Sequence, residues 1–204
     1  MKGNQASFEK HLKKAGVPDE LAARIAGVSY PESDDEKQDN ANYWAAALTQ
    51  CNELLDADVL EEVMFSRACC KSGFRLENAR MIAGEYGDKS LEEKLTLLGQ
   101  QKWMGNPRLN EDGDIFTGYC AGGSGEGALH CSCWRIGDKH PVDGRMPRSY
   151  CLCCAGHFRF HYQKATGLKL HVKEIVSSVF DDPPDFCSFL FEIVGEMPRR
   201  RKRS

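Results

Sequence analysis

Residues 148–179 read RSYCLCCAGHFRFHYQKATGLKLHVKEIVSSV, and their reading decides the fold. The stretch 148 to 153 reads as a strand, 154 to 166 as a helix, and 168 to 179 as a second strand. On that second strand His171 and Glu174 take the solvent-facing places among Leu168, Leu170, Val172, Ile175 and Val176. Working outward, the punctuation Asn106-Pro107, Asp112-Gly113 and Gly122 to Gly127 separates further strand-like runs at about 114 to 120, 128 to 136 and 186 to 195.

Upstream of Gly105 the pattern is helical. Phe8, His11 and Leu12, then Leu21, Ala22 and Ile25, recur at three- and four-residue spacing on either side of Gly16-Val17-Pro18. After an acidic loop at 31 to 40, Tyr43 to Leu55 marks a third helix. A fourth opens at Asp56 or Asp58 and runs to Cys70, with Gly73 as its stop. Leu76 to Tyr86 and Leu91 to Trp103 complete the set, the last opened by the capping box Ser90 and Glu93. The expected fold is α+β. A helical half (1–104) packs on the antiparallel sheet of a cysteine-rich half (105–196), the two share one core, and a disordered basic tail (197–204) follows.

The 204 residues carry 27 Lys and Arg against 30 Asp and Glu, a net charge of -3. Five of the positive charges are Arg199, Arg200, Arg201, Lys202 and Arg203, so the body stands near -8 and repels nucleic acid. No apolar run approaches the roughly 18 residues of a spanning helix, and Met1 to Gly16 lacks the apolar region of a secretion signal. The expectation is a cytosolic protein with no membrane partner and a small-molecule ligand.

Cysteine is the unusual entry in the composition. Six of the 10 (Cys120, Cys131, Cys133, Cys151, Cys153 and Cys154) fall within one short stretch. In the cytosol such a cluster points to metal binding or thiolate chemistry before disulfides. Were 128–136 and 148–153 paired as a hairpin, one register would set Cys131 opposite Cys153, Cys133 opposite Cys151 and Trp134 opposite Tyr150. Four sulfurs would then converge on a tetrahedral zinc, with Cys120, Cys154 or His130 able to replace one ligand. Reduced core thiols and a redox pair are the alternatives.

The helix after Cys153 suggests a second chemistry. Cys153 and Cys154 at its start, with His157 and His161 one and two turns on, share the makings of an activated nucleophile and its base. Half-buried histidines beside Phe158, Phe160 and Tyr162 are the plainer explanation. Arg135 and Arg159 are candidates to grip a ligand carboxylate, although salt bridges to local acids compete for them. The glycine-dense run 122–127 lacks the Lys-Ser/Thr of a phosphate loop and reads as a connector.

Tyr150 to Phe158, Gly167 to Val172, Ser177-Ser178-Val179 and Cys187 to Ile193 resemble the C-terminal part of uncharacterised bacterial proteins related to the L-2-amino-thiazoline-4-carboxylic acid hydrolase-like family. More remotely they resemble the vinyl-reductase and Bet3-like ligand-binding domains. The resemblance covers about 115 to 195, with the Cys69-Cys70 helix end. It implies helices packed on an antiparallel sheet, small-molecule binding and cysteine-rich sites. The last turn, Asp181 to Asp185, departs from the family's Gly-Asp step, and no catalytic set maps onto this chain.

Three functions follow in order of expectation. The first is a small-molecule- or metal-binding module with Cys131, Cys133, Cys151 and Cys153 on zinc. The second is a hydrolase of a small cyclic C–N bond using Cys153 or Cys154 as nucleophile and His157 as base, with Arg135, Arg159 and His161 toward the ligand. The third is a redox-responsive interaction protein.

Overall fold

A computed structural model describes residues 2–68, 70–118 and 129–198. Cys69, Cys120, the glycine-dense connector and the basic tail from Arg199 on lie outside the described residues. The described chain is α+β, with seven helices and an antiparallel four-stranded sheet. Six helices come first: α1 (Lys2–Lys14), α2 (Asp19–Ala26), α3 (Glu36–Leu54), α4 (Ala57–Arg67), α5 (Phe74–Glu85) and α6 (Leu91–Gly99). Then come β1 (Arg108–Leu109), β2 (Ile115–Gly118), a 3-10 segment (Arg148–Cys151), α7 (Leu152–Thr166), β3 (Leu168–Ser177) and β4 (Ser188–Glu196). None of these helices is long and apolar enough to cross a membrane.

Capping chemistry sets several boundaries. Ser90 Oγ accepts from the Glu93 amide and Glu93 Oε2 accepts from the Ser90 amide, the reciprocal box that opens α6. Asp35 accepts from the amides of Lys37 and Gln38, so α3 begins inside the stretch expected as a loop. Gly73, at φ +68, stands before α5, while α4 ends earlier, at Arg67.

The sheet order is β1-β2-β4-β3. Its face carries Phe189 and Phe191 against Phe158 and Tyr162 of α7, at ring distances of 5.9 Å for both Phe158–Phe189 and Tyr162–Phe191. α7 in turn lies under α4 and α5. At Gly156 an added Cβ would come within 2.9 Å of Phe65 Cα, so the two helix backbones touch there. The buried apolar residues form one cluster running from Phe8 of α1 to Phe191 of β4.

Two expected strands are absent. Pro147 stands just before Arg148, and its fixed φ starts a helical turn that runs through the 3-10 segment directly into α7. Residues 134–138 form a turn instead of a strand, closed by hydrogen bonds from the Ile136 and Gly137 amides to the Cys133 carbonyl, with Gly137 at φ +56. The Cys131/Cys153 and Cys133/Cys151 register therefore does not exist. Nor does the Trp134–Tyr150 pair: Trp134 is 66% exposed, while Tyr150 is 2% exposed and packs against Trp44 and Phe180.

Candidate functional site

The helical course of 148–166 redistributes the cysteines. On a strand, residues two apart share a face, but on a helix they stand about 200° apart. Cys151 accordingly points to one side, with its Sγ 3.1 Å from Ser178 Oγ and beside Cys187. Hydrogen bonding to Cys187 and complete burial raise the Cys151 thiol, whereas the bonds Cys187 receives from Cys151 and the Val179 amide outweigh burial and lower its own. Cys153 and Cys154 point the other way, into a cavity of about 290 Å³.

That cavity is lined by Cys70, Arg75, Trp103, Ser132, Cys133, Trp134, Cys153, Cys154 and His157. Five segments meet there: the α4–α5 connection, the first turn of α5, the loop after α6, the start of the 134–138 turn, and α7. Cys133 is fixed at its edge, its Sγ accepting from Tyr150 Oη at 3.3 Å and its amide donating to Cys131 Sγ at 3.4 Å. Cys131 itself is buried.

His157 and His161, one turn apart on α7, both direct a ring nitrogen at the Cys70 carbonyl, each at 2.8 Å. A carbonyl only accepts, so Nδ1 of His157 and Nε2 of His161 carry the protons. Nε2 of His157, which bears no proton in that tautomer, lies 3.5 Å from the Trp103 carbonyl. Burial first, then the neighbouring His161 and Arg75, push His157 down to about 4, so its ring is neutral at physiological pH. His161 is fully buried, its pKa is lowered by the same desolvation, and its Nδ1 has no hydrogen-bond partner among the described residues. The two rings thus act as clamps on the α4–α5 connection.

This arrangement weakens the expected Cys/His nucleophile. The start of α7 is not a bare helix end, because Cys151 is already in helical conformation and the Leu152 amide bonds back to Ser149 and Tyr150. The macrodipole of a helix whose first turn is so continued is not focused on Cys153 and Cys154.

Arg75 is the charged group of the cavity. Among the described residues no acidic side chain lines the cavity, no carboxylate pairs with this guanidinium, and its buried Nε has no hydrogen-bond partner. The rim consists of two indoles, Trp103 and Trp134, 53% and 66% exposed. Trp103 holds φ +68, a left-handed backbone that costs a non-glycine residue about 1 kcal/mol or more. The strain is held because the Met104 carbonyl next to it accepts from Tyr162 Oη on α7, which also meets Thr117 Oγ1.

Of the residues singled out from sequence, Cys133, Cys153, Cys154 and His157 come together in this cavity, and His161 stands behind it. Cys131 and Cys151 do not share it. Among the described residues, no three His, Cys, Asp or Glu side chains are grouped so as to hold a metal ion. Arg135 lies over the Trp134 ring, its Cζ 5.2 Å from the centroid. Arg159 is buried and bound to Glu61 at 2.8 Å and Glu62 at 2.6 Å, so it is not open to a ligand. Arg75 and Trp103 were missed. A basic residue in the first turn of a helix, against the dipole, was the one available signal for Arg75.

Compared with known proteins, the chain matches no family model, no curated protein and no solved structure.

Proposed function

We propose that the protein binds a small organic anion with a planar, largely apolar body in the cysteine- and tryptophan-lined cavity. One observation carries this reading: Arg75 lines an apolar cavity with no acidic neighbour among the described residues, which leaves its guanidinium available to an anionic group. Trp103 and Trp134 offer flat faces to the body of such a ligand, and Cys70, Cys133, Cys153 and Cys154 give a soft, polarisable wall. Thiols divided between two sides of α7 favour an organic ligand over a four-sulfur zinc site. A chain with 10 cysteines fits the cytosol, where thiols stay reduced.

Calorimetric titration with 2-naphthoate and its neutral amide tests the proposal. The carboxylate should bind at least about tenfold tighter than the amide, a difference near 1.4 kcal/mol, and Arg75→Gln should erase that preference. Equal affinity for acid and amide would reject the assignment of Arg75.

Hydrolysis through Cys153 or Cys154 is the second reading, favoured by the presence of both thiols and His157 in one cavity. It requires His157 to act as a base while its Nδ1–H holds the Cys70 carbonyl, leaving only Nε2 for the proton.

A further inference from the structure

A second cavity, of about 370 Å³, lies between α4 and β3. Its walls are apolar, made by Leu60, Leu152, Val172 and Ile175. Its charged lining residues are mostly acidic. Asp58, Glu61 and Glu174 line it, while the Lys173 ammonium is bound to Asp114 at 2.6 Å. His171 is the remaining ionisable group among its described lining residues.

Glu61 is the centre of this cavity. It is 4% exposed, and burial pushes its carboxyl up despite the nearby Arg159. Both strong donors use the same oxygen: Arg159 Nη1 at 2.8 Å and the Val172 amide at 3.0 Å meet Oε1. Among the described residues no hydrogen-bond donor is aligned on Oε2. It has only an ion-pair contact, His171 Nε2 at 2.7 Å, and the same nitrogen lies 3.2 Å from Asp58 Oδ1. A buried carboxylate is thus oriented by two donors on one oxygen, with the other held for a cation, and an imidazole stands between two acids.

We infer that the α4–β3 cavity is a second ligand site, one for an organic ammonium whose charged nitrogen takes the place of the His171 ring between Glu61 and Asp58 and whose apolar body lies against Leu60, Leu152 and Val172. An ammonium supplies what Oε2 lacks, a donor carrying positive charge, and its desolvation is offset by a carboxylate already desolvated by the fold. The site is independent of the anion cavity in both location and charge.

Benzylammonium, with benzyl alcohol as the neutral control, is titrated into the 15N-labelled full chain and followed by amide chemical shifts and calorimetry. The amides of Val172 and Ile175 should shift while the indole signals of Trp103 and Trp134 stay in place, and benzyl alcohol should bind at least about tenfold more weakly. Glu61→Gln should lower affinity about tenfold or more, and His171→Asn, which removes the resident competitor, should raise it. If Glu61→Gln does not fold, Asp58→Asn, at an exposed position, should still weaken binding measurably. Equal binding of alcohol and ammonium, shifts confined to the tryptophan cavity, or an Asp58→Asn affinity equal to that of the parent would overturn the inference.

Discussion

Cζ of Arg67 lies 3.4 Å from the centre of the Trp44 ring, and among the described residues neither Nη1 nor Nη2 of this buried guanidinium has a hydrogen-bond partner. Arg67 is 8% exposed and Trp44 1%, so the charge is held in the core by an aromatic face and, at 5.9 Å, by the ring of Tyr150. A desolvated charge without a counter-charge costs several kcal/mol, against about 2 kcal/mol for a strong cation–π contact. Arg67→Met should therefore keep or raise the urea midpoint, and a loss above about 1 kcal/mol would contradict this account. Trp44→Leu, which removes the ring and leaves the charge, should cost about 3 kcal/mol or more.

The His157 clamp makes stability depend on acid. Its folded-state value of about 4 lies below the ordinary 6.5, so between those values the unfolded chain takes up a proton that the folded protein refuses. The resulting stability is complete above about pH 6.5 and is lost as pH falls through about 4, an effect of about 3 kcal/mol at most. Urea midpoints measured from pH 7.5 down to about pH 4 should show this slope, and His157→Gln should flatten it.

Two helical glycines should respond oppositely to alanine. At Gly156 a Cβ would meet Phe65 Cα at 2.9 Å and Ala68 Cβ at 3.3 Å, and overpacking of about 1–3 kcal/mol outweighs the helix-propensity gain of about 1 kcal/mol. At Gly84 of α5 nothing lies within 4 Å, so Gly84→Ala should stabilise by up to about 1 kcal/mol. Thermal melts of the two variants should move in opposite directions.

Thiol mapping with iodoacetamide gives a further check. Cys51, fully buried in α3 and pushed up to about 12 by desolvation, should be the last to react, since at pH 8 about one molecule in ten thousand carries its thiolate. Cys70, Cys133 and Cys154, half-buried around the tryptophan-lined cavity, should react first, and 2-naphthoate should slow them if it occupies that cavity. Labelling of Cys51 at the rate of Cys154 would mean that the α3 core opens readily.

The helices were legible because their signals are local: the Ser90–Glu93 box, the spacing of Phe8 and Leu12, and the apolar run of α3. The strands at 168 and 188 were legible by their β-formers, and the α+β class followed from them. The error at 148–153 came from weighting Tyr150 and the alternating cysteines above Pro147, which sets up a helical start. Moving that boundary turned Cys151 away from Cys153 and dissolved the expected four-thiol site, although it kept Cys153, Cys154 and His157 together. Arg75, Trp103 and the Cys151–Cys187 contact were not legible, because each depends on segments distant in sequence brought together by the core.

β4 stands between β2 and β3, yet comes after both in the chain. During synthesis the helices can assemble as they emerge, but β2 and β3 lack their shared partner until Ser188–Glu196 has left the ribosome. The faces of Phe158 and Tyr162 that β4 covers stay open until then. A nascent chain halted before Ser188 thus holds no more of the sheet than the β1–β2 pair, and it exposes an aromatic face on α7 that only β4 covers.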